Sequence, residues 1–298
     1  MNTKTTNTNE VELVYKHRLK PSERRTLWLS RLLIWVLLAI TLFPLISIIV
    51  ASLSKGNFFY QGTFFPKTIT FENYTGLFSG DPSKGGNFPL WVKNSLILCV
   101  AVAIIQLFMT SLGAYAFSRI RFKGRKNGLM ALLILQMFPA MMTISAIYAI
   151  LLKFDLLDNL YALILVFAGG SAYNIWLLKG YFDSLPIELD EAAMVDGATH
   201  WQVFTKIIIP LAIPMMVVQF LFSFIGTYSE YMISSIALKS PENFTLALGL
   251  RSFINNQFSA NWTKFAAAAV LSSLPIVIVF MLLQRFIQKG LVAGAVKG

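Results

Sequence analysis

Charged residues come in blocks along this chain, and the gaps between the blocks are its first structural signal. Between consecutive Asp, Glu, Lys or Arg lie six long uncharged intervals, 32–54, 94–118, 127–152, 159–178, 207–229 and 265–284, each of 20 to 26 residues. No other uncharged interval reaches 18 residues. A helix rises about 1.5 Å per residue, so about 20 apolar residues cross a hydrocarbon core about 30 Å thick. Backbone amides in lipid must find partners within their own segment, which makes such runs helices. Buried helices of a large soluble core would still carry polar faces. The pattern therefore predicts an all-α, polytopic integral membrane protein with six transmembrane helices. Pro44, Gly113, Pro139, Gly169, Gly170, Pro210, Pro214, Gly226 and Pro275 fall inside these runs. Proline removes a backbone donor and crowds the preceding turn, so kinks are expected near them.

Composition agrees. Of the 298 residues, 56% are hydrophobic and 13% charged, against about 45–50% and about 25% in soluble domains. That excludes a soluble enzyme, a disordered chain and a fibre. A single cysteine, Cys99, rules out an intrachain disulfide, and two histidines leave little for a zinc site.

Charge placement then sets an orientation. With both termini cytoplasmic, the inner segments 1–31, 119–126, 179–206 and 285–298 hold 17 Lys and Arg in 81 residues. The outer segments hold 8 in 80, a twofold positive-inside bias. The net charge of +11 is thus topological, with no nucleic acid implied. The expected organisation is a partly disordered cytoplasmic segment 1–26, a first span and Gly/Pro-rich outer loop 27–89, a core 90–287 and a cytoplasmic tail 288–298. The apolar run 27–53 is longer than the 7–15-residue core of a signal peptide, and five spans follow it, so a retained first span is expected. Three Asn-x-Thr tripeptides, at Asn73, Asn243 and Asn261, are read as chance.

One loop departs from this pattern. Residues 179–206, KGYFDSLPIELDEAAMVDGATHWQVFTK, hold five of the chain's 14 acidic residues on a side that is otherwise basic. Pro186 suits a first helical turn, and Glu188, Asp190 and Glu191 then face the positive end of a helix dipole. Gly197 sits where a left-handed cap would end that helix. Thr199 and Gln202 have the spacing of a capping box, opening a second helix that runs through Trp201, Val203, Phe204 and Ile207 into Pro210. The expected result is a helix–Gly–helix elbow, against the plainer alternative of a solvated amphipathic loop.

Glu191-Ala192-Ala193, three residues, Gly197, nine residues, then Ile207-x-Ile209-Pro210 resembles the EAA loop of ABC importer permeases. That pattern is EAA-x3-G-x9-I-x-L-P, with Ile209 here where Leu is usual. The stretches LQMFPA (135–140), LKGYFDSLP (178–186), FAAAAVLSSLPIVIVF (265–280) and GLVAGAVKG (290–298) are similar to the carbohydrate branch of that family, and most to its MalG-type maltose/maltodextrin permeases. The resemblance implies a type I ABC importer permease fold. It implies ATPase coupling through Glu191, Ala192, Ala193, Asp196, Gly197, Ile207 and Pro210, and a tail that reaches towards the ATPases. The implied partners are a second homologous permease, two cytoplasmic ATPase subunits that carry ATP and Mg, an extracytoplasmic sugar-binding protein and membrane lipid. No cofactor is expected on this chain itself.

The spans contain no charged relay of the kind ion-coupled carriers use. The chain also lacks a G-x-x-x-x-G-K-[ST] phosphate loop. A power source on a separate subunit follows. Uncharged polar and aromatic groups suit a neutral polyhydroxylated ligand; Tyr173, Asn174, Ser223, Tyr228 and Glu230 are candidates for its path. For each, the alternative is an interhelical hydrogen bond or an interfacial position. A permease for another oligosaccharide, such as a galacto-oligosaccharide, and an ion-coupled secondary carrier remain as alternatives.

Overall fold

The computed structural model describes residues 21–58, 65–66, 68–81, 85–169, 171–255 and 260–295. The expected disorder of the first residues, and the last three residues of the tail, lie outside them. The chain divides into two compact units, residues 1–50 and 51–298.

The described part of the first unit is a helix, α1 (Pro21–Ser52), whose last two residues belong to the second unit. Leu32, Leu33, Trp35, Ile40 and Phe43 are all exposed, and burial within the helix begins only at its last two residues, Ala51 and Ser52. Apolar side chains on every face give this helix the composition of a membrane span.

In the second unit, α2 (Glu72–Leu77) precedes α3 (Phe88–Arg119), the helix about which the rest is arranged. After it come α4 (Arg125–Gln136), α5 (Ala140–Lys153), α6 (Leu160–Ala168), α7 (Ala172–Ser184) and α8 (Glu188–Val195). A continuous helix α9 (His200–Tyr228) follows, then α10 (Met232–Ala237), α11 (Leu246–Ser252) and α12 (Trp262–Ala295). Helix α3 packs against α6, α7, α9 and α11, and α9 packs on α12. On α12, Ala266, Ala267 and Ala268 are fully buried; side chains this small allow close approach where lipid gives no hydrophobic drive to associate.

The six uncharged intervals are built in two ways. Four fall on helices long and apolar enough to cross a membrane, in α1, α3, α9 and α12. The other two fall on bent pairs, α4 with α5 at 90° and α6 with α7 at 51°. Pro139 opens α5 with an extended ψ of 120°, and Ser171 caps α7 by accepting from the Asn174 amide. Helices α1, α9 and α12 run through Pro44, Pro214 and Pro275 without a break. Each proline costs one backbone hydrogen bond, and adjacent turns absorb that loss within a long membrane helix.

At the end of α3 remote from the elbow, side chains tie loops to helices. Trp91 Nε1 donates to Pro241 O at 2.8 Å, Asn94 Nδ2 donates to Glu242 O and Phe244 O, and Ser95 Oγ accepts from the Leu246 amide. The amides of Asn73, Asn243 and Asn261 are all used internally. Asp158, at φ +57°, receives the backbone N–H groups of Lys239 and Ser240 at 2.9 Å and the Ser240 hydroxyl. Partial burial pushes its carboxyl up, but these bonds and Asn243 outweigh that and bring it down to about 2. A carboxyl depressed by native contacts stabilises the fold above its ordinary value and loses that contribution as pH falls towards 2. Asp158→Asn tolerates the left-handed backbone but removes the charge. Its thermal midpoint in detergent should lie below wild type at pH 7, and the difference should narrow between about pH 4 and pH 2. A pH-independent difference would refute this role.

Candidate functional site

The elbow between α7 and α9 forms largely as its local sequence dictates. Three acidic residues occupy the first turn of α8. Gly197 follows that helix at φ +89°, a backbone that other residues adopt at a cost. No atom lies within 4 Å of where its Cβ would stand, so glycine is present for its backbone and not for space. Both halves of the capping box form: Thr199 Oγ1 accepts from the Gln202 amide, and Gln202 Oε1 accepts from the Thr199 amide at 2.8 Å.

The second elbow helix runs past Pro210 and becomes the membrane helix α9, through a π-helical turn at Phe204–Ile208. A proline at 210 would press its ring on the carbonyl four residues back. The wider turn just before it relieves that contact, and the Ile209 amide reaches Phe204 O instead. Such turns often mark functional segments. Ile207 lies within the π-turn and Pro210 just beyond it.

The elbow is seated on the core in two ways. An apolar plug of Val203, Phe204 and Ile208 packs with Ala114, Tyr115, Leu178 and Phe182. The Tyr115 and Phe204 rings lie 5.0 Å apart, and the Tyr115 hydroxyl donates to His200 O. Beside the plug is an ion pair that sequence reading missed. Arg119, the last residue of α3, places Nε 2.5 Å from Asp190 Oδ2. The two side chains are only 7% and 4% exposed. Arg119 also donates to Leu185 O at 3.0 Å, while Ser118 Oγ donates to Asp183 Oδ1 at 2.6 Å. Lys179 pairs with Asp183 one turn away. Of the five elbow acids, Asp190 is therefore held inward by the end of α3, while Asp183, at the end of α7, is paired but exposed.

The others face out. Glu188, Glu191 and Asp196 are exposed, as is Ala192, while Ala193 is half-buried. Ile187, Leu189, Met194 and Trp201 are exposed beside them, and Val195 is 87% exposed. The elbow thus presents acids around an apolar knob, the composition of a surface that docks to another protein.

The candidate path residues separate by environment. Tyr173 is exposed, its ring 6.2 Å from that of Trp176 and inclined to it by 30°, and its amide donates to Gln136 Oε1. Asn174 O accepts from Gln219 Nε2 at 2.7 Å, and Ser223 Oγ donates to Gln106 Oε1 at 2.6 Å. Gln106 Nε2 in turn donates to Phe167 O. This polar layer joins α3, α6, α7 and α9, and Gln106 is a member that sequence reading passed over. Buried Tyr228 donates to Ser272 O at 2.9 Å. Glu230 accepts from the Ile233 and Ser234 amides and the Ser234 hydroxyl, capping α10. No group of three or more His, Cys, Asp or Glu suited to a metal is found among the described residues.

Residues 107–292 match the family described as "binding-protein-dependent transport system inner membrane component". The chain belongs to this family. Across 291 residues it is 38% identical to the maltose/maltodextrin transport system permease protein MalG of Photorhabdus laumondii, covering 93% of this chain and 98% of that one. MalG of Escherichia coli K12 is 37% identical with the same coverage, and MalG of Vibrio vulnificus is 38% identical over 285 residues. A chain from the crystal structure of a bacterial ABC transporter involved in import of the acidic polysaccharide alginate superposes with a TM-score of 0.75 at 26% identity, covering 90% of this chain and 98% of that one. The protein is thus a multi-pass membrane permease of the ABC importer class, with the type I fold, and a transport subunit.

Proposed function

We propose that this permease forms half of the passage for a neutral oligosaccharide of the maltose/maltodextrin class. Its elbow is the handle by which two cytoplasmic ATPase subunits, carrying ATP and Mg, drive transport. The observation that carries the reading is the exposed acid-and-apolar knob held to α3 by the buried Arg119–Asp190 pair. A knob rigidly fixed to the core passes on the motion of whatever grips it. Glu191, Ala192, Ala193, Asp196 and Gly197 would make that contact, with Ile207 and Pro210 carrying it into the span.

In this reading both termini are cytoplasmic, the passage lies between this chain and a second homologous permease, and an extracytoplasmic binding protein delivers the sugar. Closure of the ATPases would switch the permease pair between inward- and outward-facing states by rigid-body movement. Support for sugar comes from the MalG relatives. A neutral sugar also suits spans without cationic side chains, which an acidic polysaccharide would need as counter-charges. Tyr173, Asn174, Ser223, Tyr228 and Glu230 remain the candidate path.

Uptake of labelled maltodextrin by cells expressing the full transporter tests this. Unlabelled maltose or maltodextrin should compete, whereas galacto-oligosaccharide and alginate oligosaccharide should not. Competition by either of the latter alone would reassign the substrate. Uptake that collapses with the proton gradient while ATP persists would overturn ATP coupling.

A further inference from the structure

Helices α4 and α7 pack side by side and leave an open groove of about 710 Å³ between them. Arg125, Lys126 and Lys179 line one end, and Met130, Leu133 and Trp176 line the rest. No carboxylate lines it among the described residues. Its position is set by the charge pattern. Lys126 immediately precedes the uncharged interval 127–152, and Lys179 immediately follows the interval 159–178. The basic end therefore lies at a membrane boundary, and the apolar floor runs from there into the hydrocarbon.

The charges are only partly compensated. Arg125 spends its guanidinium on two neutral carbonyls, those of Phe117 and Ser118. Lys179 is shared with Asp183. Lys126 is exposed, and no acidic partner is found for it among the described residues. Met130 and Trp176 are also more than half or about half exposed, at 59% and 50%. A groove with partly compensated cations at the interface and an apolar floor below fits an amphiphile with an anionic head. It fits neither a free sugar nor a wholly apolar helix.

We propose that this groove binds an anionic phospholipid, with the headgroup phosphate at Lys126 and Lys179 beside Arg125 and an acyl chain along Met130, Leu133 and Trp176. Basic pockets between membrane helices are suited to such headgroups. The groove opens on the same side as the elbow, because Lys179 pairs with Asp183 and Arg125 holds the end of α3. Bound lipid would thus lie next to the segment that seats α8. Which leaflet supplies it depends on the orientation proposed above, but the binding chemistry does not.

The intact transporter, purified in detergent with equal phosphatidylglycerol and phosphatidylcholine, provides the test by native mass spectrometry. Wild type should retain phosphatidylglycerol preferentially. Lys126→Gln should lower that retention about fivefold and the pair Lys126→Gln/Lys179→Gln about thirtyfold, from about fivefold per basic residue near an anionic surface. The single variant disturbs no described partner, so a fall there does not reflect loss of the Lys179–Asp183 pair. Retention unchanged in both variants would overturn the proposal. So would displacement of the lipid by millimolar inorganic phosphate, which would mark a site for a soluble anion, or crosslinking of position 130 to the partner permease in place of lipid. Lipid retention is read without transport, so failure of the sugar assay would leave this result standing.

Discussion

Arg119→Ala should release the elbow from the core. The substitution leaves the Asp190 carboxylate buried at 3% exposure without its cation, and breaking one side of such a pair costs about 3–5 kcal/mol. The rest of the bundle does not depend on this pair, so membrane insertion and yield should survive. Limited proteolysis between Ser184 and Thr199 should accelerate at least tenfold, and uptake should fall by a similar factor. Arg119→Met combined with Asp190→Leu gives a sharper comparison. Replacing both members of a buried pair by apolar groups is often neutral, so the double variant should regain proteolytic protection. Unchanged proteolysis and uptake in Arg119→Ala would show that the pair does not position the elbow. The unpartnered Asp190 Oδ1 makes the arginine more important, because one oxygen of the carboxylate already lacks a donor.

Glu191→Lys should act in the opposite manner, leaving the elbow folded while abolishing its grip. Glu191 is exposed on the first turn of α8, where lysine reverses only the dipole interaction, at a cost of about 0.6–2 kcal/mol. A reversed charge inside a docked interface costs more, several kcal/mol when a complementary charge faces it. Co-purification of the ATPase subunits should drop at least tenfold, uptake should fall with it, and proteolysis of the elbow should stay at the wild-type rate. Gly197→Asp should share the loss of uptake by a different route. Its backbone at φ +89° imposes about 1–2 kcal/mol of strain on a side chain, although the site has room for one. Wild-type transport in Gly197→Asp, or undiminished ATPase retention in Glu191→Lys, would remove the elbow from the energy path.

The parts legible in the sequence were those whose causes are local. A left-handed Gly197, the Thr199–Gln202 box and the acids at the start of α8 each act within a few residues, and each formed. The four long spans and the two bent pairs were legible as apolar runs because burial in lipid constrains every residue of a run alike. Contacts between distant positions were not legible. Arg119 and Asp190 are 71 positions apart, and Ser223 and Gln106 are 117 apart; nothing near Arg119 distinguishes it from four other basic residues whose placement topology alone explains. The prolines were ambiguous for a related reason. Pro139 opens a bent pair while Pro214 lies inside a continuous helix, and the difference depends on neighbouring turns.

The π-turn at Phe204–Ile208 has a mechanical consequence. Because it widens the helix without severing it, α9 is a single strut from His200 to Tyr228, about 43 Å long at helical rise. The π-turn and Pro210 lie close to its elbow end, so any bend in this strut would be concentrated there. Beyond Pro214 the helix is regular up to Tyr228, which is fastened to α12 through Ser272, so displacement on that side of the bend would reach α12 as one piece.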